Sequence, residues 1–526
     1  MSTEPSGQGV GDERAPLGES GVLAESEVLA EGASATPEPE DGLDWRRVHP
    51  VTPAVRSWKA FVGIIAVLSW QTLDNVGDAR EFVASGGLRW ILLGVAAVVA
   101  IAAVYSALAW RFTRFAVGEE AVHLHTGVLF RQQRQARLDR LQSVDVVRPF
   151  VARLAGLSQL TLEVAGAADS NVELAYLKDE DAMRLRAELL AKAAGVRLGN
   201  APVAAAPGVE GEAGAVPPPA PFVEEAPERT VLEVPVPRLV GSILLSSALV
   251  GFLVFFLLGL TAIFVAAFGG APLEELTWSN GVVLLPAVFG VASFVWSRFT
   301  SGYGFRAAIS PDGIRLAHGL LETRAQTIAP GRIQAIELSQ PLLWRKAGWW
   351  RVRMNVAGYG LGATQENQTT LLPVGDKEQA LLACWLVLPD LGTEDALGLL
   401  TEAMEGSGDE GGFSLVSRRV RFLSPLTYRR NGFLVTERAL MLRRGRLRRL
   451  VQIVPHERTQ SLGLEQGPIA RALRVAAFTV HSVSGPVRPV IDDLDLEVAY
   501  RLLEEQSVRA RQARAADRSE RWMEQP

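Results

Sequence analysis

The side chains able to do chemistry are few and scattered. Six histidines stand at 49, 123, 125, 318, 456 and 481, with one cysteine at 384. His123 and His125 are two residues apart, a spacing that puts both on one face of a strand, where a pair of imidazoles could begin a metal site. No third ligand accompanies them, so they read as strand positions. Cys384 sits in Leu-Leu-Ala-Cys-Trp-Leu-Val-Leu without a base beside it, which is the setting of a buried apolar filler. A single cysteine also excludes an intramolecular disulfide. Gly358-Tyr-Gly-Leu-Gly362 opens no clear helix and reads as a hairpin turn, not a phosphate cradle. Neither a Gly-x-Ser-x-Gly elbow nor a Walker loop occurs. The expectation is a protein that is not an enzyme and carries no cofactor and no metal.

Charge departs from the ordinary in one place. Residues 418–474 hold fourteen arginines against three glutamates, with the density highest in Arg443-Arg-Gly-Arg-Leu-Arg-Arg449. Arg443, Arg444, Arg446, Arg448 and Arg449 are the candidate site for anionic lipid headgroups or an acidic partner. A cation at an anionic leaflet gains about 1 kcal/mol. The alternatives are a solvated basic face or pairing with the chain's own acidic tail. That tail, residues 1–44, has eleven carboxylates against Arg14 and is rich in Gly, Pro, Ser and Glu, so it is expected to be disordered. Nucleic acid is not expected, because no aromatic stacking pattern accompanies the arginines.

These groups must be positioned by two kinds of element. Three charge-free stretches are long enough to cross a bilayer at 1.5 Å per residue: Trp90 to Trp110, Leu239 to Gly270 and Leu276 to Ser297. Ala60 to Leu73 is a shorter fourth candidate. Tryptophans 58, 90, 110, 278 and 296 stand near the ends, as an aromatic belt requires. Paired as hairpins, with arginines outside them, they predict cytoplasmic termini.

The second kind of element is a repeat. Gly127, Gly319 and Gly445 each end an alternating strand. An arginine follows at thirteen residues (Arg140, Arg332, Arg458) and a glutamine at fifteen (Gln142, Gln334, Gln460). A proline comes next (Pro149, Pro341, Pro468), then a glycine (Gly166, Gly358, Gly485). Each copy alternates as strands do and closes on an amphipathic run with an acidic start, so each predicts a small curled sheet plugged by a helix. The shared arginine and glutamine read as structural.

The pattern Leu138-Asp-Arg-Leu-Gln-Ser-Val, Arg153-Leu-Ala-Gly-Leu and Leu160-Thr-Leu-Glu-Val-Ala-Gly resembles the bacterial pleckstrin-homology-like (PH-like, bPH2) domain of the YdbS/YdbT membrane-protein family. The order hairpin, module, hairpin, module, module is similar to the YdbT type. Copy two keeps Arg345-Lys-Ala-Gly-Trp, whereas copy three has Arg471-Ala-Leu-Arg-Val without the glycine. The resemblance implies non-catalytic PH-like domains on a multi-pass membrane protein, in a family associated with cell-envelope stress and peptide-antibiotic resistance.

The expected fold is therefore mixed: a polytopic α-helical anchor of two transmembrane hairpins (four helices) with three cytoplasmic PH-like small β-barrel or sandwich modules, each closed by a C-terminal helix. The expected division is a tail at 1–44, hairpins at 56–110 and 238–298, and modules at 111–195, 299–395 and 413–508. Linkers fall at 196–237 and 396–412, and a C-terminal tail at 509–526. The expected function is a membrane-surface scaffold or assembly factor in the inner membrane. Its expected partners are the bilayer, anionic headgroups, and a membrane protein or a second copy of itself. The alternative is an accessory of a transport or export system.

Overall fold

The computed structural model describes residues 44–49, 52, 87–127, 131–138, 141–164, 172–199, 229–268, 273–310, 313–328, 331–357 and 368–517. The first module comprises β1 (Trp45–Arg47), α1 (Gly87–Phe112), β2 (Arg114–Val117), β3 (Ala121–Thr126), β4 (Gln132–Arg137), β5 (Leu141–Pro149), α2 (Phe150–Leu154), β6 (Leu157–Val164), β7 (Val172–Lys178) and α3 (Asp179–Gly199). The second comprises β8 (Arg229–Glu233), α4 (Val236–Leu244), α5 (Ser247–Phe268), α6 (Leu273–Gly302), β9 (Arg306–Ser310), β10 (Gly313–His318), β11 (Glu322–Ile328), β12 (Ile333–Gln340), a 3-10 turn at Leu342–Arg345, β13 (Trp350–Val356), β14 (Thr370–Gly375), α7 (Lys377–Val387) and α8 (Ala396–Glu405). The third comprises β15 (Ser414–Leu415), β16 (Gly432–Val435), β17 (Ala439–Arg444), β18 (Arg449–Pro455), β19 (Ser461–Glu465), α9 (Pro468–Leu473), β20 (Val475–His481), β21 (Val490–Asp495) and α10 (Leu496–Ala516).

Each module is thus four strands, three strands and a closing helix. In the first two, a helical insertion separates the first strand from the second; in the third, turns between Arg418 and Asn431 fill that place. Strand β1 pairs with β2 although more than sixty residues separate them, Trp45 lying opposite Ala116.

The three modules share sheets. One seven-stranded sheet runs β7-β6-β5-β11-β10-β9-β8, and another runs β14-β13-β12-β18-β17-β16-β15. The three-strand layer of each module is therefore continued by the four-strand layer of the next. Pairing is antiparallel at both joins, with Val146 opposite Ala325 in the first and Leu338 opposite Val451 in the second. The cores merge with the sheets. Met441, Val451 and Ile453 of the third module join the core cluster of the second, and Ala335 of the second joins that of the third. The 396–412 stretch takes part as well, since α8 buries Leu400, Ala403 and Met404.

The expected anchor of two transmembrane hairpins, four helices in all, is corrected. No single helix among the described residues is long and apolar enough to cross a membrane, and the architecture is dominated by four β-sheets. One bent pair, Val236–Leu244 with Ser247–Ala262, meets the length and composition together across a 46° bend. One apolar run is broken, and another is embedded in a longer helix with polar ends. The run from Leu239 to Gly270 is split at Leu245 and Ser246, between α4 and α5. The run from Leu276 to Ser297 lies inside a longer α6 that starts Leu-Glu-Glu and ends Arg-Phe-Thr-Ser-Gly. Ala60–Leu73 lies outside the described residues. Leu253, Phe255, Leu258, Phe264 and Phe268 of α5 are nonetheless exposed, and an apolar surface of that extent calls for an apolar cover.

The turn glycines have a physical cause. Gly127, Gly319 and Gly445 have φ of 106°, 112° and 76°. A Cβ at Gly319 would lie 2.0 Å from the Glu322 carbonyl oxygen, and one at Gly445 would lie 2.2 Å from that of Arg448. The glycine that closes Arg153-Leu-Ala-Gly and Arg345-Lys-Ala-Gly, absent from copy three, leaves a trace. Gly156 and Gly348 both have φ of 67°, and the residue in their place, Arg474, is forced to φ 53° and ψ 46°. A left-handed backbone costs a residue with a Cβ roughly 1 kcal/mol. Arg474→Gly is expected to raise the unfolding free energy of the third module by about 1 kcal/mol, checked by denaturant unfolding of the full chain.

Candidate functional site

Two surfaces stand out, one joining the modules and one facing outward beside the insertions. The first is polar at its centre. Glu337 of β12 is buried and accepts from Arg353 on β13, and from Gln452 Nε2 on β18 at 2.9 Å, with Arg448 Nη2 at 3.6 Å. A few residues along, Arg449 Nη1 donates to Gln340 Oε1 at 3.2 Å. Asn355 of β13 clamps the last turn of the third module, its Nδ2 donating to the Val487 carbonyl at 2.7 Å and its Oδ1 accepting from Val487 N–H at 2.8 Å. The close approach requires the repeat glycine there, because a Cβ at Gly485 would sit 2.2 Å from Asn355 Oδ1.

The five arginines proposed from sequence do not form one exposed patch. Arg443 is 0% exposed, lies over the Phe413 ring at 4.2 Å and donates from Nε to the Arg430 carbonyl at 3.1 Å. Arg444 Nη1 donates to the Val490 carbonyl at 3.1 Å and lies 3.8 Å from Asp492. Arg448 reaches Glu337 and Arg449 reaches Gln340, so both serve the join. Arg446 stays outward. Arg430, buried beside Arg443, caps the C-terminus of α8 through the Ala403 and Met404 carbonyls at 3.0 and 2.7 Å. Burial first, then the neighbouring Arg443, Arg449 and Arg345 charges, push its pKa down to about 9.

Positive charge also crowds around the partly buried Arg345. Burial lowers the pKa of its guanidinium, and Arg449 and Arg446 lower it further by repulsion. Its Nε and Nη2 are shielded from solvent and have no hydrogen-bond partner among the described residues. Arg345 was not singled out from the sequence. The signal that could have found it is its place in copy two beside the same proline that precedes Arg153 and Arg471.

The outward surface is apolar and framed by these cations. After the repeat proline every module has a short turn or helix with exposed apolar residues: Phe150 and Leu154 with Arg153, Leu342 with Arg345, and Ile469 with Arg471. In the second module this turn packs on the insertion. Trp344 Nε1 donates to the Ser242 carbonyl at 3.2 Å, and Trp349 lies against Gly241 of α4. The adjacent Trp350 faces the core. In the third module the turns between β15 and β16 occupy the corresponding slot, with Arg419 Nη1 donating to the Leu473 carbonyl of α9 at 3.4 Å. Phe422, Leu423 and Leu426 stand there 66%, 51% and 53% exposed, amid Arg418, Arg419, Arg421 and Arg429.

Other expected positions serve the fold. Arg332 Nη2 donates to the Ala357 carbonyl at 2.9 Å, Gln334 Nε2 to the Arg332 carbonyl at 3.4 Å, and Arg458 pairs with Asp517 at 3.0 Å. Gln460 is exposed, while Arg140 and the side chain of Gln142 lie outside the described residues. His123 bonds Gln135 at 3.1 Å and the His125 ring lies tilted against Trp45 with centroids 4.4 Å apart. His456 is held between the Thr436 carbonyl and Gln506, and burial lowers its pKa. Cys384 is buried in the core and its thiol is pushed up to about 12. The glycine-rich 358–362 segment lies outside the described residues.

Layers of four and three strands, each closed by a C-terminal helix and repeated three times, define a class: a chain of pleckstrin-homology modules, which are binding modules and not catalysts. The model of the bacterial PH domain family matches residues 62–193, 244–383 and 412–511, well over half of the sequence, and the chain belongs to that family. No curated protein and no solved structure matches it.

The join makes an unequal prediction for two members of one charge cluster. Glu337→Ala leaves Arg353 without its buried partner and is expected to lower the unfolding free energy by about 3 kcal/mol or more. Arg448→Ala removes a half-exposed partner of the same carboxylate and should cost less than about 1 kcal/mol. Denaturant titration of the two full-length variants checks the ranking.

Proposed function

We propose that this protein is a scaffold of three PH modules working at the cytoplasmic face of the inner membrane, where it binds anionic lipid headgroups. The observation that carries the reading is the turn bearing Phe422, Leu423 and Leu426. It places exposed large apolar side chains amid arginines, in the slot that helical insertions occupy in the other two modules. Water is a poor neighbour for three such residues. A headgroup layer suits them, because apolar side chains gain about 1.5–3 kcal/mol each on full burial while the surrounding cations stay with the phosphates.

The environment of Arg345 supports the anionic part. Its guanidinium is crowded by the Arg449 and Arg446 charges, and an anion held nearby would offset that repulsion. The apolar surface of α5 supports attachment to lipid more generally. The resemblance to the YdbS/YdbT family supports a role for the scaffold in the response of the cell envelope to stress.

Depth labelling tests this reading. Cys384 is buried with its thiol near 12, so a thiol-reactive fluorophore attaches selectively to a Leu423→Cys variant. With the full chain in vesicles containing phosphatidylglycerol, the label is expected to shift to the blue and be quenched by quenchers carried on lipid chains. A label that keeps a water-like spectrum and is quenched only by a soluble quencher would sink the proposal.

A further inference from the structure

The two joins inside the chain are copies of one interface. In the first, Thr323 lies opposite Arg148; in the second, Arg449 lies opposite Gln340. Thr323 and Arg449 are each four residues beyond their turn glycine, Gly319 and Gly445. Arg148 and Gln340 are each six beyond their repeat glutamine, Gln142 and Gln334. The register of strand addition is therefore a property of the repeat.

Three modules make two joins and leave one half of the interface at each end of the array. The first module keeps its receiving strand, β4, as the last strand of the sheet β1-β2-β3-β4. The third keeps its donating strand, β19, as the last strand of the sheet β19-β20-β21. Exposure follows pairing. Every residue of β12, paired on both edges, is buried, whereas Ser461 and Glu465 of the equivalent β19 are exposed. On β4, Gln132, Gln133 and Gln135 are exposed. Gln334 is buried, and its repeat counterpart Gln460 is exposed.

A groove completes the comparison. At the first internal join the closing helix covers the incoming strand, with Arg186 of α3 donating to Thr327 Oγ1 of β11 at 2.7 Å. At the second, α8 packs on β18. At β19 the closing helix α10 is present, and among the described residues no strand is added to the outer edge of β19. Between the two lies a cavity of about 460 Å³ lined by Thr459, Leu462, Leu503, Ser507, Ala510 and Arg514.

We propose that β4 of a second copy of this chain adds to the edge of β19, so that the array of modules continues from one molecule to the next. The repeat register places Gln132 opposite Glu465, Gln133 opposite Leu464 and Gln135 opposite Leu462, and no like charges meet between these strands. Backbone hydrogen bonds along an exposed strand edge supply the attraction, as they do at both internal joins. The interface is heterologous, using different surfaces on the two copies, so it generates a closed ring or an open filament and not a two-fold dimer. It rests on the sheet topology alone and does not depend on lipid contact.

Register-specific crosslinking tests it. Purified full-length Gln133→Cys and Leu464→Cys chains are mixed in detergent under mild oxidation, native Cys384 being left in its buried site. Residues directly opposite across an antiparallel pair have Cβ atoms about 4.5–5.5 Å apart, close to disulfide reach. A two-chain disulfide product is expected from this mixture and not from Gln133→Cys with Ser461→Cys, which is offset by three residues on the opposite face. Absence of the product, equal yield from the offset pair, or crosslinking of either variant with itself alone would overturn the proposal. Thermal unfolding of each variant, unchanged from the parent chain, excludes loss of fold as the cause of a negative result.

Discussion

The ladder of backbone hydrogen bonds across each module join is the constraint on which the rest depends. A β-sheet edge presents unpaired N–H and C=O groups, and each must be met by water or by another strand. Here the edge of one module's three-strand layer meets the edge of the next module's four-strand layer, β5 with β11 and β12 with β18. Once the ladders form, the cores must merge. That is why Ala335 packs in the third module while Met441, Val451 and Ile453 pack in the second. The polar groups at the join follow from the same geometry. Glu337 is buried by the added strand and is tolerated because Arg353, Gln452 and Arg448 converge on it.

This arrangement changes how three binding modules act together. Independent modules on flexible tethers gain avidity through effective concentration, which falls as linkers lengthen. Modules sharing sheets hold their outward surfaces at fixed spacing, so the turns after Pro149, Pro341 and Pro468 are presented in a set geometry. The arginines divide their work accordingly. Those at 430 and 443 bond carbonyls in the interior, Arg448 reaches Glu337 from a half-exposed position, and Arg446 and those around Phe422 face outward.

Much of the repeat was legible in the sequence because its physical demands are local. A turn needing positive φ asks for glycine wherever it recurs, and the spacing from Gly127, Gly319 and Gly445 exposed the threefold repeat. The acidic starts before two of the closing helices were legible for the same reason, as the capping box at Asp376 shows. What pattern could not give is non-local. Strand β1 is three residues long and finds its partner beyond a long insertion, so nothing in Trp45–Arg47 announces it. The sharing of sheets leaves no mark on alternation, since an edge strand and a paired strand alternate alike. The arginine run misled in a specific way: charge density marks Arg443 to Arg449, but packing on Phe413 and the carbonyls near Arg430 decides that Arg443 is interior. Hydropathy marked long apolar runs without showing the bend after α4.

Hydrogen exchange of the backbone amides measures the central claim most directly. If the modules are joined by continuous sheets, the amides of β12 and β18 are protected together and exchange in one cooperative step, the β16–β18 layer opening no earlier than the β12–β14 layer. If β16–β18 instead exchanges in an earlier, separate phase while β12–β14 stays protected, the modules are independent beads and the account of a shared sheet is contradicted.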